Sequence, residues 1–399
     1  MGDLNLTSDL PFWTVRNGLL RVYPPLDRDV RCDALVIGGG ISGALLARRL
    51  TRRGVDCVVI DRRDIGFGST SASTALLQYE IDTPLHELQH RVGPQAAERA
   101  YRAGLESIER LEKLAGRQCD FAMRPSFQVA TRRADVAGLR KEYELRRQLR
   151  FPVSWLDRKE LRECGIVAHG ALRSRVAAEV DPYRLTHRLL RLACEGGLRV
   201  LDRTTAVRYE QARGSVRVMT DRGHTIRCRR VFFSTGYETQ DILPDTVVTF
   251  KSTYAFVSEP IADPCWWKDR ALIWGTGDPY VYARTAGRDR VLVGGEDDHV
   301  LDPARRDGQI EAKTRRLVRK FHALFPHLTV EPAFGWAGLF GSTKDGLGYI
   351  GPHAAFPNAY FALGFGGNGI TFAEIASRVL TDLFLGRRNR DAEIFRFDR

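Results

Sequence analysis

The chain has 399 residues, 43% of them hydrophobic, enough for a large core and for two domains. No stretch approaches the roughly 18 consecutive apolar residues of a membrane span. The opening "MGDLNLTSDLPFW" has early acids and no apolar core of a secretory leader, so a cytoplasmic location is expected. The formal charge is +12, but eight of the 61 basic residues are Lys and the arginines are spread over the whole length, so we read solvated faces and expect no nucleic-acid partner.

Seven cysteines (Cys32, Cys57, Cys119, Cys164, Cys194, Cys228, Cys265) are scattered with no CxxC, which reads as free thiols rather than a disulfide framework or zinc ribbon.

In chain order, residues 33–63, "DALVIGGGISGALLARRLTRRGVDCVVIDRR", read strand, glycine loop, helix, strand. Gly38, Gly40 and Gly43 form G-x-G-x-x-G, and Asp61 closes the second strand. This spacing binds a dinucleotide: Gly38 for the tight turn, Gly40 for approach of a pyrophosphate, Gly43 for close helix packing. The helix N-terminus at Ile41 and Ser42 then faces phosphate, and Asp61 accepts from ribose hydroxyls, with Arg62 beside it. The hydroxylated "GFGSTSASTALLQYE" (66–80), with Ser69 and Thr70, is suited to lying along a long cofactor.

From Pro84 to Gly116 the pattern is helical, with a strand at 126–131 and a charged surface helix at 135–149. Residues 181–197 read as a helix with Asp181 as cap and Pro182 at its first position. Short alternating strands follow, and "VFFSTGYET" (231–239) ends a strand in Thr235-Gly236. After Lys251 the chain is strand-rich again, a helix is expected at 303–325, and strands resume near Phe334. The alternation is α/β, with a second strand-rich block inserted. Near the end, "GFGGNGIT" (364–371) is a second glycine loop opening a helix.

With "VIGGGISGALLARRL", "GFGSTSAST", "VDPYRL", "VFFSTGYE", "YARTAGRDRVLVGGED", "GLFGSTKDGLGYIGP" and "YFALGFGGNGITFAEIAS" in this order, the chain resembles the D-amino-acid-oxidase superfamily of FAD-dependent oxidoreductases. The resemblance runs from about residue 33 to 386. It implies an interrupted Rossmann-like FAD-binding domain from 1–84, 172–250 and 336–399, and a substrate domain with a large antiparallel sheet from 85–171 and 251–335. It also implies that Val207 lines the adenine side through its backbone, and that Gly366, Gly367, Asn368, Gly369, Ile370 and Thr371 face the flavin ring. The implied activity is oxidation of a C–N bond in a small amine or amino acid by hydride transfer to flavin N5, with O2 or a quinone taking the electrons. The alternative in the same class is a dehydrogenase subunit serving a quinone or protein partner.

For the substrate, "PYVYART" puts Tyr280, Tyr282 and Arg284 on one strand face, a phenol and guanidinium clamp for a carboxylate or a structurally packed face. Tyr254 and Lys251 share another strand, Gln78 lies near the cofactor loop, and Lys344 in "STKDG" is a candidate beside the ring. Trp266–Trp267 form a lid or a loop anchor. Two departures from the sarcosine-oxidase branch matter. No cysteine follows Cys265, so FAD is expected to be non-covalent, and Thr371 stands where that branch has a carboxylate-binding Lys. A rival reading is "HELQH" (86–90), the H-E-x-x-H of zinc hydrolases, with His86 and His90 as ligands and Glu87 as base; a third ligand His is missing at Ala96. We expect no metal.

Overall fold

The computed structural model describes residues 4–212, 214–261 and 267–399. Cys265 and Trp266, named above, lie outside the described residues.

Apolar "ALVI" and "CVVI" become the parallel strands Ala34–Ile37 and Cys57–Ile60, buried at every position. They sit inside a six-stranded sheet ordered Tyr349–Pro352, Ala359–Leu363, Arg230–Phe233, Ala34–Ile37, Cys57–Ile60, Arg199–Leu201, in which only the first pairing is antiparallel. The two-residue period decides what covers each face. Ala34, Val36, Cys57 and Val59 pack into one core with the helices Ile41–Thr51, Pro182–Cys194 and Gly369–Phe384. Leu35, Ile37, Val58 and Ile60 pack against a four-stranded sheet ordered Val30–Arg31, Thr225–Cys228, Ser215–Thr220, Ala206–Ala212. A strand covered on both faces has no polar side, hence its continuous apolar run.

The helix Pro182–Cys194 forms as its sequence dictates. The Asp181 carboxylate accepts the Arg184 N–H at 2.9 Å, Pro182 occupies the first turn, and Leu185, Leu189 and Leu190 are buried. Each such leucine stabilises by roughly 1.5–3 kcal/mol.

The second large sheet has nine strands. Its order is Pro332–Ser342, Thr249–Ser258, Arg290–Asp298, Val281–Ala286, Leu272–Gly275, Ala122–Val129, Ala171–Glu179, Leu76–Leu77, with Val153–Leu156 also paired to Ala171–Glu179. All pairings are antiparallel except that between Leu272–Gly275 and Ala122–Val129. Leu317 and Phe321 of the helix Ile310–Leu324 pack onto Phe256 and Val293 on one face. The expected domain borders at 172 and 336 run through two of these strands, Ala171–Glu179 and Pro332–Ser342.

Several local expectations are corrected. The helical pattern after Pro84 breaks at Gly93, whose φ of +86° ends Leu85–Val92 and starts Pro94–Ala115. The pattern at 303–325 is likewise two helices, Pro303–Asp307 and Ile310–Leu324. The helix Val136–Gln148 is not merely a surface element, because Glu142 and Arg146 on it are each 1% exposed. Trp267 is no lid: its Nε1 donates to the Ala271 carbonyl at 2.8 Å, and its ring lies 4.7 Å from that of Phe325 in the core. The N-terminal segment was not legible as structure, yet it extends the large sheet. Leu6 accepts from the Leu339 N–H at 2.9 Å and Ser8 donates to the Ala337 carbonyl at 3.0 Å.

Candidate active site

A long cavity of about 300 Å³ runs between the two large sheets. Its near end is lined by Gly38, Gly40, Ile41, Ser42, Asp61, Arg62 and Arg63. Gly38 turns the chain at φ +107°, and a Cβ on Gly43 would lie 1.9 Å from the Gly38 carbonyl oxygen. Gly43 is therefore off the wall but required by the helix that abuts it. The Asp61 carboxylate accepts the Gly39 N–H at 2.6 Å and the Arg63 N–H at 2.8 Å. Burial outweighs these bonds and pushes Asp61 up to about 6. Arg62 and Arg63 both ion-pair with Glu238, at 2.6 Å for Arg63. Thr70 Oγ1 accepts the Ile41 N–H at 3.0 Å, and Ser69 beside it lines the wall. Thr235 and Gly236 line the middle.

The far end is closed by the second glycine loop. Gly366, Gly367, Asn368, Gly369 and Ile370 line it at the start of the helix Gly369–Phe384. Asn368 Nδ2 donates to the carbonyls of Gln78 (3.1 Å) and Glu80 (2.7 Å), tying this loop to the segment that carries Asp82. The Asp82 carboxylate accepts the Gly367 N–H at 2.8 Å. A Cβ on Gly366 or Gly367 would lie 2.5 or 2.6 Å from an Asp82 carboxylate oxygen, so the paired glycines make room for an acid. Opposite stand Thr253, Trp274, Tyr280, Tyr282 and Phe340.

Two glycine loops at the two ends of one long cavity fit a dinucleotide with a reactive ring at its far end, and residues 33–383 match the family described as FAD dependent oxidoreductase (DAO). The chain belongs to this family. The oxidoreductase is 25% identical over 369 residues to glycine oxidase from Bacillus licheniformis, covering 89% of this chain and 94% of that protein. It is 24% identical over 387 residues to gamma-glutamylputrescine oxidoreductase from Escherichia coli (strain K12), covering 94% and 87%. Its fold matches the crystal structure of L-proline dehydrogenase from P. horikoshii with a TM-score of 0.78 at 19% identity, over 93% of this chain and 99% of that one.

The oxidoreductase takes FAD, and its wall fits that group. The hydroxyls of Ser69 and Ser234, both on the wall, are buried without a hydrogen-bond partner, as phosphate donors would be before the anion is counted. The first turn of Ile41–Thr51 borders the same space through Ile41 and Ser42, where a helix N-terminus favours an anion.

Several residues expected in the site stand elsewhere. Arg284 is 3% exposed and donates to the carbonyls of Ala75 (2.8 Å) and Val180 (3.1 Å), so it is spent on backbone rather than presented to a substrate. Tyr254 faces the back of the sheet, 3.3 Å from Asp298 with Lys313 over its ring, because its neighbour Thr253 takes the cavity face. Lys344 is exposed and donates to the Arg399 carbonyl at 2.7 Å. Val207 is 58% exposed; the wall there is Thr204, Thr205 and Ala206. Thr371 is off the wall, its hydroxyl donating to the Asn368 carbonyl at 2.8 Å. Tyr282 does line the cavity.

Among the described residues no third ligand joins the HELQH histidines. His86 Nδ1 lies 2.7 Å from Glu142, which also accepts the Leu85 and His86 N–H groups and so caps the helix Leu85–Val92. Among the described residues no group of three or more His, Cys, Asp or Glu is arranged to hold a metal. Sequence reasoning missed Asp82, Glu238, Thr253, Trp274 and Phe340; Glu238 and Phe340 lie inside quoted stretches but were not singled out, and only long-range contacts bring the five to one cavity.

Proposed function

We propose that this oxidoreductase oxidises a C–N bond of a small amine or amino acid. The observation that carries the reading is the group of polar side chains, Thr253, Tyr280, Tyr282 and Asp82, set against the loop at Gly366–Gly369. The names of its relatives, glycine oxidase and gamma-glutamylputrescine oxidoreductase, support the same substrate range. FAD would supply the redox chemistry, taking up the two electrons with the hydrogen of the C–H beside the amine nitrogen, and the imine so formed would hydrolyse.

The chain's own part is binding and positioning. The loop Gly38–Gly43 and the N-terminus of Ile41–Thr51 would take the pyrophosphate, and Asp61 the ribose hydroxyls. The N-terminus of Gly369–Phe384 has no acid in its first turn and so favours negative charge at the far end. Trp274, Tyr280, Tyr282 and Phe340 wall the chamber and limit the water that reaches the reacting carbon. The FAD unit would be built from 1–84, 172–250 and 336–399, and the substrate unit from 85–171 and 251–335. The electrons would pass to O2 or to a quinone.

The test is anaerobic bleaching of the purified yellow protein by a panel of amines and amino acids. Bleaching by dithionite but by no member of the panel would remove the C–N reading. Peroxide release in air, against reduction of quinone dyes alone, separates oxidase from dehydrogenase.

A further inference from the structure

The far chamber is acidic and phenolic, and the cations near it are placed elsewhere. Asp82 lies on the wall and uses one carboxylate oxygen on the Gly367 N–H. Asp297 lies behind the wall rather than on it, its carboxylate beside the Thr253 and Tyr280 hydroxyls. Among the described residues the only arginines on the wall, Arg62 and Arg63, are at the opposite end and paired with Glu238. Arg284 is bound to backbone carbonyls. Lys313 approaches from behind the sheet and is held by Asp298 at 2.8 Å and by the Glu296 carbonyl at 2.7 Å. Lys251 is near enough to Asp297 to offset part of its charge, but it forms no ion pair among the described residues and is off the wall. A substrate carboxylate would thus meet Asp82 on the wall with Asp297 behind it, and, among the described residues, no guanidinium or ammonium on that part of the wall. A substrate ammonium would relieve both acids at once, since Asp82 is open to the cavity and the Asp297 charge acts to raise it.

We propose that the site admits its substrate as an ammonium ion, recognised by Asp82 and by the Asp297–Thr253–Tyr280 group, and that the substrate is an aliphatic amine with no carboxylate on the reacting carbon. This rests on the C–N oxidation reading for turnover, but the recognition is measurable without turnover. The glycine pair at 366–367 fits the same role, because any side chain there would displace the Asp82 carboxylate.

The probes are tert-butylammonium, which has no C–H beside its nitrogen and cannot be oxidised, and its near-isosteric anion pivalate, each titrated into the FAD-loaded protein at constant ionic strength. The readouts are the flavin absorbance spectrum and calorimetry. Saturable binding of tert-butylammonium is expected, with pivalate at least tenfold weaker. Asp297→Asn should weaken tert-butylammonium at least tenfold while FAD content stays at one per chain, and Asp82→Asn should do the same if it folds. Lys251→Met should tighten it. Preferential binding of pivalate, its loss in Lys251→Met, or unchanged amine affinity in Asp297→Asn overturns the proposal. In the matching bleaching assay, butylamine should reduce the flavin faster than norvaline; the reverse order overturns the proposal while leaving C–N oxidation intact. Tight cation binding with no bleaching by either compound leaves cation recognition standing and removes the oxidation reading instead.

Discussion

Glu142→Ala removes the anion on which the wall behind Asp82 is built. Its two carboxylate oxygens accept four donors: the Leu85 N–H at 2.8 Å, Arg146 Nε at 2.6 Å, the His86 N–H at 3.0 Å and His86 Nδ1 at 2.7 Å. Arg146, itself 1% exposed, would be left with Glu80 at 3.6 Å and the Tyr101 ring at 5.0 Å. Breaking a buried pair by deleting one partner costs about 3–5 kcal/mol. A second route gives a similar size. Burial acts to raise Glu142, but Arg146 and the His86 and Leu85 donors overcome it and hold the carboxyl at about 2 against an ordinary 4.5. That difference corresponds to roughly 3 kcal/mol. If the 399 residues unfold as one unit, about 4 kcal/mol lowers Tm by roughly 5 °C. The sign of the pH dependence follows from the depressed value. The contribution is complete above pH 4.5 and is lost as pH falls towards 2, so the gap between parent and variant is full at pH 7 and narrows below pH 4.5. Thermal melts of the FAD-loaded proteins at pH 7 and pH 3.5 measure it. A Tm within 1 °C of the parent at pH 7, or a gap that does not narrow in acid, would refute the reasoning.

Gly43→Ala places a methyl 1.9 Å from the Gly38 carbonyl, so the helix must back away by more than an ångström from the phosphate site; FAD affinity, read by fluorescence quenching, should fall at least tenfold, and parent-like binding would show that the close approach is not needed. Asp61, raised to about 6, gains a proton as pH falls through that value and loses acceptor strength toward the ribose. The FAD dissociation constant should therefore rise between pH 7 and pH 5, and a flat profile would count against Asp61 as the ribose acceptor. Arg284→Met strips two backbone carbonyls of a charged donor and should lower Tm. Its KM for an amine substrate should stay within about twofold of the parent, whereas a large KM change with unchanged Tm would restore Arg284 as a substrate group.

The local spacing of this sequence was enough for the nucleotide loop, the buried parallel strands and the Asp181 cap, because each depends on backbone conformation within a few residues. It was also enough to place a second glycine loop at the head of a helix. What it left open was which side of the large sheet faces the cavity. There, a bulge between Ser252 and Tyr254 sets the register against Arg290–Asp298, and Thr253 rather than Tyr254 points inward. Arg284 keeps the parity of Tyr282 but meets the carbonyls of Ala75 and Val180, residues 209 and 104 positions away. The HELQH stretch reads locally as a metal motif, yet Glu142, 56 residues on, accepts from His86 and from both leading N–H groups and so caps it as a helix start. The acid that shapes the second glycine loop is 285 residues from the N–H it accepts. Sequence spacing sets local conformation and face, whereas the contacts that choose between a structural and a functional side chain are made by segments distant in the chain, and only folding brings them together.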